Sequence, residues 1–366
     1  MGPRSAPAAA RLRGRCHSRR REAGGSSRGG QMTTTTGARR ANAVWPGGPR
    51  EHARVIAEAV DLAWHSRYGG SRVEVPMSVV AALALVAREA ENVDQLAALG
   101  ETIERLDHEG FGLLMQRLWC EFAVLRPDLN PRTKHLWSWT DEDQDDTVLR
   151  AVQAVGQAAL RKGLFARCGP DAWGEMDLLG MLLQTMKSHG GRKGIGQFLT
   201  PVDLTAMIGR MAAPEEGARI LEPCAGTGTM LLGAAMGMRE AGRDPTTCEW
   251  WANDIDPLAA ALCAVNLHLW GLGWRVVVGC GDGLLDQWMH EALEHRQIAI
   301  DEVWRAWRMA RQIAAVRHLL DLPTPESALE RHMRKAKPKP PPPPPPVPPA
   351  SSTFDAEAAY RQGRLF

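Results

Sequence analysis

Three acidic residues close three short apolar segments in the second half of the chain, and their types and spacing predict chemistry. Glu222 ends the segment RIL, Asp254 ends a segment rich in tryptophan and alanine, and Asp282 follows a run of valines. Carboxylates attract cations and accept hydrogen bonds from hydroxyl and amino groups. If the three segments are neighbouring parallel strands, the acids meet at one edge of the sheet and form a ligand site.

A glycine turn, AGTGT, follows Glu222 and Pro223 almost directly. No lysine lies near it, so it is not a P-loop. Gly226 and Gly228 match the first two glycines of a dinucleotide-binding turn, but the third is missing, which weakens NAD or FAD without excluding them. An acid beside the turn repels a pyrophosphate and attracts the ammonium and sulfonium groups of S-adenosylmethionine, so charge favours that cofactor.

Strand and helix patterns alternate around this turn. The segments ARILEP, CEWWANDID and WRVVVGCGD have the composition of strands, and TMLLGAAMGMREAG and PLAAALCAVNLHLWG have that of the helices between them. This order predicts an α/β fold with a parallel sheet and a ligand at the carboxyl ends of its strands. After Asp282 the pattern is helical, which leaves open whether the sheet is complete.

Periodicity and composition divide the chain into five predicted parts. Residues 1–45 are a disordered basic arm, 46–190 a helical domain, 191–330 a cofactor-binding domain, 331–350 a proline-rich spacer and 351–366 a C-terminal tail. The first fifty residues contain eleven arginines and one acid, although the net charge of the whole chain is only +2. That arm is expected to be solvated and to seek polyanions. It also fits a transit peptide, and Met32 is an alternative start.

The cysteines and the hydropathy exclude other classes. Seven cysteines are scattered and never spaced as CxxC, which predicts reduced thiols and no metal site. No apolar run approaches the roughly 18 residues of a membrane span. We therefore expect a cytoplasmic protein without membrane contact.

Four motifs together carry a resemblance to a known family. GQFLTP at 196–201, LEPCAGTG at 221–228, NDIDP at 253–257 and GDGL at 281–284 resemble the cofactor-binding motifs of amino-adenine DNA methyltransferases, closest to the methylation subunits of type I restriction systems. DLLGMLLQ at 177–184 is similar to a helix that those subunits carry before GQFLTP. The resemblance covers about residues 170–285 and implies a Rossmann-like, S-adenosylmethionine-dependent core that methylates adenine N6 in DNA.

The resemblance also assigns residues to the cofactor. It implies that Thr200 and Pro201 lie near the methionine carboxylate and that Glu222, followed by Pro223, lies near the ammonium. The backbone is expected to approach the cofactor at its two turn glycines, which are Gly226 and Gly228.

The remaining assignments concern the nucleoside end of the cofactor. Asp254 is placed on the ribose and Asp282 on the adenine amino group. Ile255 either packs against the adenine ring or belongs to the core, and Cys224 is expected to be a small buried residue rather than a nucleophile.

The catalytic motif of these methyltransferases is missing. They hold the poorly nucleophilic adenine amino group with an Asn or Asp, two prolines and an aromatic residue after a fourth strand. No such tetrapeptide is present, and the nearest imitation, Asp321 in DLPTP, fits a helix-terminating turn better. The catalytic residues therefore stay unassigned. A partner chain that supplies the motif, a catalytically impaired cofactor-binding or DNA-binding subunit, and an enzyme acting on RNA or a small molecule all remain open.

Partner predictions follow from the resemblance and from the ends of the chain. DNA and a specificity or complementary methyltransferase subunit are the expected partners. The last residues, QGRLF, resemble a peptide that docks on the replication sliding clamp through Gln362, Leu365 and Phe366, although this tail equally fits a helix packed on its own domain. Tryptophans at 137, 139, 250 and 251 are candidates for base stacking, but core packing explains them better.

Overall fold

The computed structural model describes residues 47–168, 174, 176–190, 200, 202–323 and 325–335. Ahead of the first strand the chain forms α1 Gly48–Arg67, α2 Glu74–Glu89, α3 Val93–Glu104, α4 His108–Leu125, α5 Asn130–Trp137, α6 Asp146–Arg161, α7 Leu164–Cys168, α8 Leu178–Gly190 and α9 Val202–Ala212. The remaining elements are β1 Arg219–Glu222, α10 Thr229–Glu240, β2 Glu249–Asp254, α11 Pro257–Leu269, β3 Val276–Cys280, α12 Gln287–Leu319 and α13 Ala328–Lys335.

The first helices pack around a core that their periodicity predicts. Most residues of α2 are buried, since this helix is apolar on most sides. Inside the core the indole of Trp119 donates a 2.8 Å hydrogen bond to the Ser78 hydroxyl, which satisfies two polar groups that have lost water. The acidic run at 141–146 leads into α6, where the Asp145 carboxylate accepts from the Val148 N–H and caps the start of the helix.

The sheet contains three parallel strands in the order β1-β2-β3. Two crossover helices connect them, α10 between β1 and β2 and α11 between β2 and β3. Each predicted strand and helix between residues 219 and 280 is present, so the expected α/β region with a parallel sheet is confirmed. This topology brings all three carboxyl ends to one edge.

Two helices pack unusually closely ahead of the sheet. A methyl group on Gly209 of α9 would lie 1.9 Å from the Gly233 carbonyl oxygen of α10, and one on Gly233 would lie 2.3 Å from the Thr205 carbonyl oxygen. Only glycine permits backbones to approach this closely. The contact holds α9 firmly against the crossover helix that follows the glycine turn.

A single long helix follows the third strand instead of further alternation. α12 spans 33 residues, and its first turns pack on the sheet through Trp288, while its second half is largely exposed. The chain turns at Asp321, which is exposed and has a φ of 52°. This agrees with Asp321 as part of a helix-terminating turn.

The helices of the first half contact the α/β region through α11. This helix packs against α5 and α2, and the Arg88 guanidinium donates to the Leu269 carbonyl oxygen at 3.2 Å. The predicted boundary near residue 190 falls beside residues 191–199, which lie outside the described part, so the domain limits stay predictions. In the described ranges no helix has the length and apolar character needed to cross a membrane.

Candidate functional site

One asparagine side chain joins the carboxyl ends of the three strands. Asn253, which is 1% exposed, donates to the Pro223 carbonyl oxygen at 3.1 Å and to the Gly281 carbonyl oxygen at 2.9 Å. The backbone carbonyl oxygen of Asn253 accepts from the Ala225 N–H at 2.7 Å. The loops that carry the first and third acids are therefore held to the end of the central strand.

The glycine turn has the conformation that its glycines predict. Gly226 and Gly228 have φ values of 56° and 95°, in the left-handed region where a side chain is strained. A methyl group on Gly228 would also lie 3.1 Å from Cys263 Sγ and from the Trp270 ring. Gly228 is the N-cap residue of α10 and, because it has no side chain, it cannot cap the N–H groups of this helix. The turn thus presents backbone where a ligand can approach closely.

Asp254 is almost fully buried and already holds two backbone groups. Its Oδ2 accepts from the Gly226 N–H at 2.7 Å, and its Oδ1 accepts from the Asp256 N–H at 2.9 Å. A carboxylate has about four acceptor positions, so both oxygens retain one for a ligand hydroxyl. Asp254 consequently shapes the glycine turn in addition to any contact with a ligand.

The other two acids are more accessible. Glu222 is half-buried and accepts from the Cys224 N–H at 3.3 Å, and Asp282 is exposed and accepts from the Leu284 N–H at 2.9 Å. Ile255 is 68% exposed, which excludes the alternative that it belongs to the core. The structure therefore brings together an acid at each strand end and an apolar side chain open to solvent.

A buried carboxylate beneath the turn was not recognised from the sequence as part of the site. Asp177, just before α8, accepts from the Gly180 N–H at 2.7 Å, from the Thr229 hydroxyl at 2.8 Å, from the Asn266 amide at 2.8 Å and from the Thr227 hydroxyl. Burial raises the pKa of Asp177, against the effect of these donors. These hydrogen bonds hold the glycine turn against α8, which contains Gly180, and against α11, which contains Asn266.

The spacing of Asp177 and Gly180 contains a signal for this cluster. A methyl group on Gly180 would lie 2.3 Å from Asp177 Oδ2 and 2.6 Å from Thr227 Oγ1, so only glycine fits. An aspartate immediately before an apolar helical run predicts an N-terminal cap, in which its carboxylate accepts from the N–H three positions later. This spacing does not reveal that the same carboxylate also contacts the glycine turn, some fifty residues later in the chain.

The GQFLTP motif lies mostly outside the described residues. Thr200 is described as half-buried coil, whereas Pro201 is not described, so neither assignment to the methionine carboxylate is tested. The helix α8, which precedes the GQFLTP motif, is held to the loop after β2, because Lys187 of α8 makes a 2.6 Å ion pair with Asp256 Oδ2. This pair anchors α8 beside the end of β2.

One cysteine in the turn, Cys224, is not in the environment that the sequence predicted. Cys224 is exposed, so the prediction that it is buried was wrong. The neighbouring Ala225 takes the buried position, at 8% exposure, and the Cys224 side chain is left outside. Burial raises the pKa of the Cys263 thiol well above its usual value, and the nearby carboxylates Asp177, Asp254 and Glu222 raise it further.

The tryptophans proposed for base stacking are mainly structural. Trp139 and Trp250 are 2% and 0% exposed, and Trp251 packs edge to face against Trp288 with ring centroids 6.5 Å apart. Core packing, the preferred explanation, is therefore correct for these residues. In the described part of the chain no group of three or more His, Cys, Asp or Glu side chains is arranged to hold a metal ion.

Comparison with known proteins gives one family match. Residues 175–304 match the family model described as N-6 DNA Methylase. The matched region begins just before Asp177 and includes all three acids and the glycine turn, and it supports a DNA N6-adenine methyltransferase domain. A search of curated proteins found no match to the chain.

Proposed function

We propose that the chain is an S-adenosylmethionine-dependent DNA methyltransferase of the adenine-N6 type, with a Rossmann-like core and a place in a restriction-modification system. The observation that carries the proposal is the convergence of Glu222, Asp254 and Asp282 at one edge of a parallel sheet within residues that match the N-6 DNA methylase family. The proposed cofactor residues are the eight assigned by resemblance: Thr200, Pro201, Glu222, Pro223, Gly226, Gly228, Asp254 and Asp282.

The described residues fit this cofactor by charge and by shape. Carboxylates at three strand ends favour a cationic ligand over a pyrophosphate. The free acceptor positions of Asp254 suit the two hydroxyls of a ribose, and the exposed Ile255 offers an apolar surface for a purine ring. The glycines of the turn leave room for close approach of the backbone. When bound, the cofactor supplies an activated methyl group.

The residues of this chain account for binding and orientation better than for activation of the adenine. Glu222 and Asp282 would hold the charged and amino groups of the ligand, and Asp254 would hold its hydroxyls. The sequence contains no Asn/Asp-Pro-Pro-aromatic segment to accept from the adenine amino group. The missing segment is the reason for a second candidate function, a cofactor-binding subunit whose acceptor comes from a partner chain; the family match does not favour it over the first.

Calorimetry with S-adenosylmethionine tests the cofactor. Because Asp254 has acceptor positions for a ribose diol, Asp254→Ala should weaken binding by roughly 1.5 to 3 kcal/mol. Asp254 also holds the glycine turn. Asp254→Asn keeps one acceptor oxygen, so its affinity for S-adenosylmethionine should lie between those of the parent chain and Asp254→Ala. Glu101→Gln, on the exposed side of α3, is the matched control and should bind as the parent does. Absence of binding by the parent chain, or tighter binding of NAD, contradicts the cofactor assignment.

Mass spectrometry of methylated DNA tests the reaction. The purified chain is incubated with duplex DNA and isotopically labelled S-adenosylmethionine, and N6-methyladenine is quantified after digestion. We expect cofactor binding with little or no methylation by the chain alone. Robust methylation would show that another residue of the chain accepts from the amino group, and Asp321→Ala is then the first variant to compare. A labelled product in RNA but not in DNA would favour the RNA alternative.

A further inference from the structure

The second half of α12 is exposed on every side. Ala299 is the last buried residue of this helix, and each residue from 304 to 316 is exposed. We refer to residues 304–319 as the projecting segment. A helix of this length is only marginally stable in water by itself, and one that packs on nothing is normally stabilised by ion pairs along its surface or by a partner. The charges of the segment distinguish between these two possibilities.

The projecting segment carries positive charge that no acid compensates. Between residues 303 and 320 there is no aspartate or glutamate, and there are four arginines: Arg305, Arg308, Arg311 and Arg317. In the described part of the chain none of the four forms an ion pair. Arg305 Nε donates to the Asp301 carbonyl oxygen at 3.3 Å, and Arg317 donates to the Pro323 carbonyl oxygen. The Asp301 carboxylate accepts from the Gln297 amide at 3.0 Å and from neither arginine nearby.

Exposed arginines on other helices are arranged differently. Arg117 of α4 forms an ion pair with Glu121 at 2.6 Å, and Arg150 of α6 forms one with Asp146 at 2.9 Å. Such pairs, four residues apart, neutralise charge locally and stabilise a helix. The projecting segment lacks them, so its arginines attract a polyanion from solution.

Three of the arginines share one surface with two tryptophans. Arg305, Arg308 and Arg311 follow one another at three-residue steps, which places them about 4.5 Å apart along the helix axis. The exposed rings of Trp304 and Trp307 pack edge to face with their centroids 5.6 Å apart, and the Arg311 guanidinium lies 4.8 Å from the centre of the Trp307 ring. This cation–π contact orients the guanidinium without neutralising it. We call these five residues the arginine–tryptophan surface.

The spacing of the arginines is close to that of the phosphates in DNA. One strand of a duplex carries a phosphate about every 3.4 Å along its axis, near the roughly 4.5 Å between successive arginines. A guanidinium also binds phosphate with two parallel N–H donors. The exposed aliphatic residues Met309, Ile313 and Val316 lie on a different side of the helix and do not interrupt the surface.

We propose that the arginine–tryptophan surface of α12 contacts the phosphate backbone of duplex DNA. The choice of DNA among polyanions rests on the proposed function, but the three arginines follow residue 304, the last that matches the methylase family. Arg305 lies about 27 Å along the helix from Gln287, so this contact is separate from the strand ends at which the cofactor is proposed to bind. Backbone contacts add affinity and orient the duplex without reading its sequence.

The salt dependence of DNA binding tests the contact. Fluorescence anisotropy of the full chain with a labelled duplex of about 20 base pairs gives the association constant between about 50 and 200 mM salt. Replacing Arg305, Arg308 and Arg311 by glutamine, which forms helices as well as arginine does, removes three phosphate contacts. The slope of log K against log salt should become less steep by about 2.7, and affinity near 100 mM salt should fall at least about tenfold. Arg308→Gln alone should change the slope by about 0.9.

A matched control removes the same net charge from paired arginines. In that variant Arg54 of α1, Arg117 and Arg150 are replaced by glutamine, and each of these exposed side chains pairs with an acid of its own helix. Its salt slope should stay close to that of the parent chain. The corresponding lysine variant of the three arginines in α12 should retain most of the slope, because lysine binds phosphate as a point charge. The basic first fifty residues contribute equally in every variant, so differences in slope report on α12.

Two outcomes would overturn the proposal: an unchanged slope in the glutamine variant of α12, or an equal loss of slope in the control. Tighter arginine-dependent binding of RNA than of duplex DNA, or of vesicles containing phosphatidylserine, would assign the surface to that ligand instead. Calorimetry with S-adenosylmethionine on the same preparations separates the two levels. Normal cofactor binding with an unchanged slope refutes the contact at α12 alone, whereas a parent chain that binds DNA through these arginines but binds no cofactor refutes the proposed function.

Discussion

Replacing Asp177 by alanine is expected to be among the most damaging single changes near the glycine turn. The carboxylate is 4% exposed and accepts from four donors: the Gly180 N–H, the Asn266 amide and the hydroxyls of Thr227 and Thr229. Asn266 keeps a second bond, at 2.9 Å to the Thr227 carbonyl oxygen, and the hydroxyls can rotate to other acceptors. The loss of two to three effective bonds, at roughly 1 to 2 kcal/mol each, gives a gross cost of about 2 to 6 kcal/mol.

Part of this cost is offset by the removal of a buried charge. Burial raises the pKa of Asp177, which shows that the ionised form is penalised in the folded state. We therefore expect Asp177→Ala to lower the free energy of unfolding by about 3 kcal/mol. Asp177→Asn keeps one acceptor oxygen for Gly180 and Asn266, and the threonine hydroxyls can accept from its amide. That variant should lose only about 1 to 2 kcal/mol.

Urea unfolding followed by tryptophan fluorescence measures both variants. Asp145→Ala is the matched control, because Asp145 also caps a helix but accepts a single backbone bond from Val148 at 2.9 Å, and its loss should cost about 1 kcal/mol. Since Asp177 anchors Thr227 within the turn, Asp177→Ala should also weaken S-adenosylmethionine binding about tenfold under conditions where the variant remains folded. If Asp177→Ala costs no more than Asp145→Ala, the cluster does not hold the turn.

Three further predictions concern other parts of the molecule. Burial lowers the pKa of His268 to about 3, with Arg88 and Arg126 adding to the effect, while Glu89 is too exposed to compensate. In the unfolded state the histidine has a pKa near 6.5 and binds a proton first, so the free energy of unfolding falls by about 2 kcal/mol between pH 7 and pH 5. His268→Gln should remove this part of the pH dependence, measured by urea unfolding at the two pH values. An unchanged pH dependence in that variant contradicts the prediction. Gly233→Ala should lower the free energy of unfolding by about 2 to 4 kcal/mol, because the added methyl group forces α9 away from α10. In the control Gly100→Ala the new methyl group has nothing closer than 3.7 Å, so thermal unfolding should show a neutral or stabilising effect. Equal melting temperatures for the two variants would show that α9 and α10 can move apart without cost. A labelled peptide of residues 356–366, which lie outside the described part, should bind purified sliding clamp at micromolar concentration by fluorescence anisotropy if the tail docks there, and no binding at that concentration rejects the clamp.

Local pattern was sufficient for the elements between residues 219 and 280 and for the edge at which their acids meet. Alternation of short apolar runs with helical periodicity specifies parallel strands, and parallel strands necessarily bring Glu222, Asp254 and Asp282 to the same side. The positive φ values of Gly226 and Gly228 likewise follow from the residue type and the turn. These features depend on neighbouring residues, whose spacing is visible in the sequence.

Tertiary structure alone decided which distant groups share a buried environment. Asp177 meets Thr227 fifty positions later in the chain and Asn266 eighty-nine positions later, and His268 faces Arg126 across a separation of 142. The exposure of Cys224 and of the second half of α12 likewise depends on which elements cover the turn and the helix. Periodicity reports which face of an element is apolar, but the partner of that face is set by the packing of the whole chain, because burial and hydrogen-bond satisfaction are properties of the assembled core.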